Sequence, residues 1–226
     1  MDVTKLIALL EAGCLFFPRA DRLGDPWEGA VSRQNLALRP NLYAQLAPEE
    51  LAMMSAQLGV LFREQRRHMF ISCWHQNEHE SAAMWRLYLK SDEGIAIQTT
   101  FDRLKEALCL YKDRPVYIGQ VRYLDYEKDF VPEGNALAPI LHKRNSFAHE
   151  SEVRAVINTL GLGGVAQASV AENGIYVPIS IDVLVERIYI APTTPEWVFK
   201  AIEGMISRYG LERLVSKSAL SEPALF

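Results

Sequence analysis

Apolar residues along this chain recur at two spacings, three-to-four and two, and the switches between them mark out helices and strands. Val3 to Ala12 reads as a helix with Leu6, Leu9 and Leu10 on one stripe, ended by Gly13. Cys14 to Phe17 reads as a short buried strand, and Asp25-Pro26-Trp27-Glu28-Gly29 as a tight turn held by packing. Pro48 to Arg67 is a helix, with Pro48, Glu49 and Glu50 suited to its positive start and Arg63, Arg66 and Arg67 to its negative end. Leu51, Met54, Leu58 and Leu61 form its apolar face. Met69 to Trp74 is a strand, and Asn77 with Glu80 resembles a capping box opening a helix that runs to about Lys90.

Gly94 to Thr99 and Val116 to Tyr126 read as strands, with Phe101 to Leu110 helical between them. Ser151 to Asn158 is a polar strand that continues through Gly161 to Gly164 into Ile175 to Ile181, the two strands pairing as a hairpin. Arg187 to Ala191 is a strand, Thr194 opens a helix to Tyr209, and Leu214 to Lys217 is the last strand. Clustered strands and about four helices predict an α+β fold with a mostly antiparallel mixed sheet. No linker or repeat divides the 226 residues, so residues 1–226 are expected to form a single domain.

Composition narrows the function classes. The chain is 49% hydrophobic and 23% charged, with a net charge of -4, which argues against an extended nucleic-acid surface. The longest apolar run, Leu6 to Phe17, is interrupted by Glu11, so neither a membrane span nor a secretory leader is expected and a cytoplasmic location is. Cys14, Cys73 and Cys109 stand far apart and suit reduced thiols.

The stretch His142 to Ile157 concentrates the candidate chemistry. On a strand, Glu150, Glu152 and Arg154 point one way while Val153, Ala155 and Ile157 point to the core. Carboxylates two residues apart on a strand, with Cα atoms roughly 6.5 to 7 Å apart, can share a pocket. Lys143, Arg144 and Arg154 supply the cations. Such a pair can act as a general base or hold a ribose; the alternative is a solvated face laced with weak ion pairs.

Trp74, Trp85 and Tyr88, with His75, Gln76 and Ser81 as polar partners, form either a stacking surface or a core stripe. His68, Cys73, His75 and His79 match no usual zinc spacing, so no metal is expected, and Cys73 lacks an orienting third residue for nucleophilic work. Ser216, Lys217 and Ser218 form a last polar cluster able to bind an anion.

Several blocks in order, LFFPRADRLGDPWEG, FISCWHQNEHESAAMWRLYLKSDEGIAI, VRYLDY, KRNSFAHESEVRAVI, RIYIAPTTPEWV and SKSAL, resemble the bacterial family filed as domain of unknown function 2971, over nearly the whole chain. The resemblance places Asp25, Pro26, Glu28, Ser72, Cys73, Trp74, Glu80, Ser81, Met84, Trp85, Tyr88, Gly94, Lys143, Phe147, Glu150, Glu152, Arg154 and Ser218 at signature positions. Family members carry a strand ending in aromatic-Arg-Tyr-Met before the first helix. This chain starts at Met1-Asp2, as though inside that motif, so one arginine of the site is expected to be missing. A looser likeness is to ADP-ribosyltransferase-like folds, which is analogy.

These readings converge on an enzyme that handles a nucleotide or sugar at its glycosidic carbon. Glu152 and Glu150 serve as base or ribose ligands, Lys143, Arg144 and Arg154 hold phosphate, and Trp85, Tyr88, Trp74 and Ser81 complete the ligand pocket. NAD or another nucleotide is the expected ligand class, and no cofactor is certain. The alternatives are a non-catalytic binding or sensing module, for example in phage defence, and a buried polar network that only fixes the fold.

Overall fold

The computed structural model describes residues 1–89, 93–160, 172–211 and 214–225. In chain order the elements are α1 (Val3–Ala12), β1 (Cys14–Pro18), α2 (Arg33–Leu42), α3 (Pro48–Arg67), β2 (Met69–His75), α4 (Ala82–Tyr88), β3 (Ile95–Gln98), α5 (Phe101–Ala107) and β4 (Val116–Gln120). There follow β5 (Arg122–Leu124), β6 (His142–Arg144), β7 (Glu152–Asn158), β8 (Gly174–Pro178), α6 (Ile181–Leu184), β9 (Arg187–Ile190), α7 (Glu196–Ser207) and β10 (Val215–Lys217). The fold is α+β, with antiparallel pairing predominant. Two compact units divide it, one of Met1–Phe16, Asn77–Lys112 and Tyr176–Phe226, the other of Phe17–Gln76 and Asp113–Ile175.

In the first unit β9 pairs in parallel with β10 and antiparallel with β3. Three apolar residues at four-residue spacing on α7, Val198, Ile202 and Ile206, are buried, as are Leu6, Leu9 and Leu10 of α1. Asp2 caps α1 by accepting from the Lys5 N–H at 2.9 Å, and Gly13 closes it with φ +60. Gly94 is a point of close approach: a Cβ there would meet Leu89 Cδ2 at 1.8 Å, so any larger residue obliges the Leu89 side chain to move.

In the second unit β7 is the central strand, antiparallel to both β2 and β4, and its two faces are largely buried. A separate parallel pair joins β5 to β6, setting Tyr123 beside Lys143. Met69, Ile71 and Val156 pack with Ala20 and Ile140 into one cluster, and Tyr126, Val131 and Ala138 form another under Trp27. The polar helix α2 packs by its polar side: Asn35 is buried, exchanging two hydrogen bonds with the Val131 backbone at 2.7 and 2.9 Å, while Leu36 is exposed.

Several expectations change here. β7 pairs with β2 and β4 rather than in a hairpin with β8, because Met69 to His75 presents a longer ladder of partners. The long strand from Val116 breaks at Val121, after which β5 pairs with β6 instead of β7. The helix expected from Asn77 begins only at Ala82, since Ser81 rather than Asn77 supplies the cap. α3 spans its expected range but buries no residue, and Leu61 is exposed. The glycine-rich link at Gly161 to Gly164 lies outside the described residues.

Candidate functional site

The charged residues gather on one face of the β2-β7-β4 sheet. Alternation along β7 puts Glu152 and Arg154 on the same face, and the register sets His75 opposite Glu152 and Cys73 opposite Arg154. Gly119 of β4 stands on the other side of Arg154, where a Cβ would crowd Leu141 at 2.9 Å. Glu150 departs from expectation: it ends the 3-10 turn Asn145–Glu150, and Ser151 at φ 41 separates it from the strand. It still converges on the same residues through Lys143.

The result is a chain of alternating charge, Glu28, Arg154, Glu152, Lys143, Glu150. Arg154 grips both carboxylate oxygens of Glu28, with Nη2 to Oε2 at 3.0 Å. Its Nε donates to Glu152 Oε2 at 2.6 Å and its Nη1 to the Ile140 carbonyl at 2.5 Å. Lys143 Nζ donates to Glu152 Oε1 at 2.7 Å and also to Glu150 Oε2. Arg154 is 1% exposed, Glu28 2% and Glu152 5%, so the inner part of the chain is sealed. A fork committed to two carboxylates and a carbonyl presents no open edge to a phosphate. That differs from the role expected of Arg154.

Burial works against ionisation of Glu152, but the Arg154 guanidinium, the Glu150 carboxyl and Lys143 outweigh it and hold its pKa well below the usual carboxylate range. Burial, then the adjoining Glu152 carboxyl, raise Glu150 against the pull of Lys143. Burial also opposes the Lys143 ammonium, yet the two carboxylates raise its pKa. Two neighbouring carboxyl groups are thus driven in opposite directions, the arrangement in which one holds a proton and the other its charge.

Surrounding groups complete the site. The Tyr123 hydroxyl accepts from the Glu152 N–H at 2.8 Å, leaving its own proton to donate. His75 Nδ1 lies 2.6 Å from the Glu150 carbonyl, and its buried Nε2 has no partner. Arg144 Nη2 donates to Asp25 at 2.8 Å, with its guanidinium within 5.6 Å of the Trp27 ring and 5.4 Å of the Phe147 ring. Cys73 is open to solvent on one side and enclosed by protein on the others. That enclosure, opposed by the Arg154 guanidinium and reinforced by Glu152 and Glu28, pushes its thiol up to about 12 and keeps it protonated at neutral pH.

Glu150, Glu152, Lys143, Arg144 and Arg154 are therefore brought together. Trp74 belongs to the same unit, its Nε1 donating to Ser72 at 3.1 Å. Trp85, Tyr88 and Ser81 belong to the first unit. There Trp85 is buried and donates to Glu80 at 3.0 Å, Ser81 caps α4, and Tyr88 is exposed. Trp85 accordingly follows the core reading, while Ser81 caps the helix in place of the ligand-pocket role expected of it. Spacing shows Glu28 and Asp25 only as turn residues, and the family resemblance marks both as signature positions without a role, because their partners stand more than a hundred positions later.

Among the described residues, no group of three or more His, Cys, Asp and Glu side chains is placed to hold a metal ion, and no helix is long and apolar enough to cross a membrane. No protein-family profile, curated protein or solved structure matches the chain.

Proposed function

We propose that the charged face of the second unit is an acid–base site for a nucleotide- or sugar-containing substrate, working at its glycosidic carbon. Glu150 transfers the proton, Lys143 positions it, and Glu152 supplies fixed negative charge beside a developing cation. Arg144, flanked by Trp27 and Phe147, holds the anionic part of the ligand, and NAD is the first substrate to try. The observation that carries this reading is the oppositely shifted pair, Glu150 raised and Glu152 lowered, bridged by one lysine. A cytoplasmic location and kinship with the domain of unknown function 2971 belong to the same proposal.

Incubation with NAD and common nucleotides, followed by chromatography, tests it. The expected result is hydrolytic release of the base, with water replacing it at the glycosidic carbon, cut by about 10²- to 10⁴-fold in Glu150→Gln for nucleotides whose base needs a proton to leave; nicotinamide leaves NAD as a neutral ring without one, so its release reports cleavage alone. As a proton donor Glu150 works only when protonated, so the rate is expected to fall as pH rises through its raised pKa. Full activity of Glu150→Gln on the nucleotides whose base needs a proton overturns the assignment.

A second reading, binding or sensing without turnover, as in a phage-defence system, is favoured by the saturation of the inner network, in which both Glu152 oxygens are already occupied. In that case nucleotides raise the melting temperature and are recovered unchanged.

A further inference from the structure

A second concave feature lies in the same unit, apart from the carboxylate cluster. A cavity of about 170 Å³ is lined by Arg39 of α2, by Phe62, Arg63 and Arg66 of α3, and by the Gly29 to Val31 segment. Three guanidinium groups meet around it with no acidic side chain in its lining. Arg39 is 4% exposed; its Nη2 is held by Glu133 at 2.9 Å, and its buried Nε has no hydrogen-bond partner. Among the described residues the Arg66 side chain donates only to the Pro26 carbonyl, at a long 3.4 Å, and its Nε is likewise buried and unpartnered. Among the described residues neither Arg63 nor Arg66 has a carboxylate partner.

Positive charge is seldom left this way. Like charges around a small hollow repel, and a buried N–H without an acceptor has lost water and gained nothing in return. An anion in the hollow offsets the repulsion and brings acceptor oxygens to the guanidinium groups that line it. The backbone accommodates this: Gly29 has φ +68, and a Cβ there would stand 2.9 Å from Arg66 Cγ, so glycine lets the chain lie against the Arg66 stem.

We infer that this cavity binds the phosphoryl group of a small phosphorylated metabolite. A phosphate monoester carries up to two charges and several acceptor oxygens, enough to engage three guanidinium groups, whereas a carboxylate offers one charge and two oxygens. The volume is large enough for a phosphoryl group. Phe62 and Val31 form the apolar wall for the ester carbon. This site stands independently of the acid–base reading, because Glu150, Glu152 and Lys143 are not among its lining residues.

Calorimetric titration of the full chain with inorganic phosphate, methyl phosphate and acetate at matched ionic strength tests the inference. Saturable binding of both phosphates with acetate at least tenfold weaker is expected, and a preference for methyl phosphate over inorganic phosphate identifies an ester as the source. Arg63→Gln, at an exposed position that spares the fold, is expected to weaken phosphate binding at least tenfold, and Arg63→Gln combined with Arg66→Gln to abolish it. The inference is overturned if acetate binds as well as phosphate, if phosphate does not saturate, or if the folded Arg63→Gln protein binds phosphate like the parent. Lys200→Gln, which removes an exposed positive charge from the first unit, serves as the control, and its phosphate affinity is expected to be unchanged.

Discussion

Arg154 and Glu28 stand 126 positions apart in the chain and meet as a two-pronged pair inside the second unit. Their guanidinium and carboxylate planes tie the turn after Asp25 to the central strand of the sheet. Breaking the pair from one side leaves a buried charge without compensation, so Arg154→Met is expected to cost about 3 to 5 kcal/mol in urea denaturation. Arg154→Lys keeps the charge and loses the fork, and is also expected to destabilise.

Acid stability should expose the opposed carboxyl groups. Glu152 has a lowered folded-state pKa, so its contribution is present above its ordinary range and is lost as pH falls through that range toward the lowered value. Glu150 has a raised pKa, so its contribution is full below its ordinary range and is lost as pH rises through the raised value. The two oppose each other near pH 4 to 5, around the ordinary carboxylate range. Replacing Glu150 by Gln removes one of them, and urea midpoints measured across that interval are expected to climb more steeply with pH than in the parent.

Cys73 offers a test of enclosure. With its thiol pushed up to about 12, the thiolate is scarce at pH 8 despite the solvent-open side. Alkylation by iodoacetamide, followed by peptide mass spectrometry, is expected to be about a hundredfold or more slower than that of free glutathione. Rapid labelling of Cys73 in the folded protein would contradict the described surroundings.

Asn35 stands in for a strand, satisfying both the N–H and the carbonyl of Val131. Asn35→Ala leaves both groups without a protein partner, and is expected to lower stability by about 1 to 3 kcal/mol per group left unsatisfied, read from thermal or urea melts.

The elements that sequence reading located well are those whose side chains obey a single period. α1 and α3 match their expected limits, and β2, β9 and β10 lie within a residue or so of theirs. α2 was missed because it inverts the rule, burying Asn35 and Arg39 and exposing Leu36 and Leu42, with Pro40 inside it. Strand pairing was misjudged where two segments were close in the chain: β7 and β8 looked like a hairpin, but the partners of β7 are β2 and β4. At the site, alternation correctly brought Glu152 and Arg154 to one face, and local density pointed to Lys143. It could not supply Glu28, because that contact depends on the fold returning the Asp25 turn to the sheet. Nor could it show that Arg63 and Arg66, suited to a helix end by charge alone, border a hollow with Arg39.

Both units are assembled from separated stretches of chain, and this bears on biogenesis. Every strand of the β2-β7-β4 sheet has been synthesised once Asn158 is added, whereas the β10-β9-β3 sheet must wait for Lys217. During synthesis the amino-terminal helix and Ile95 to Gln98 therefore spend an interval without their final neighbours, and that is when a nascent chain of this kind most needs a chaperone.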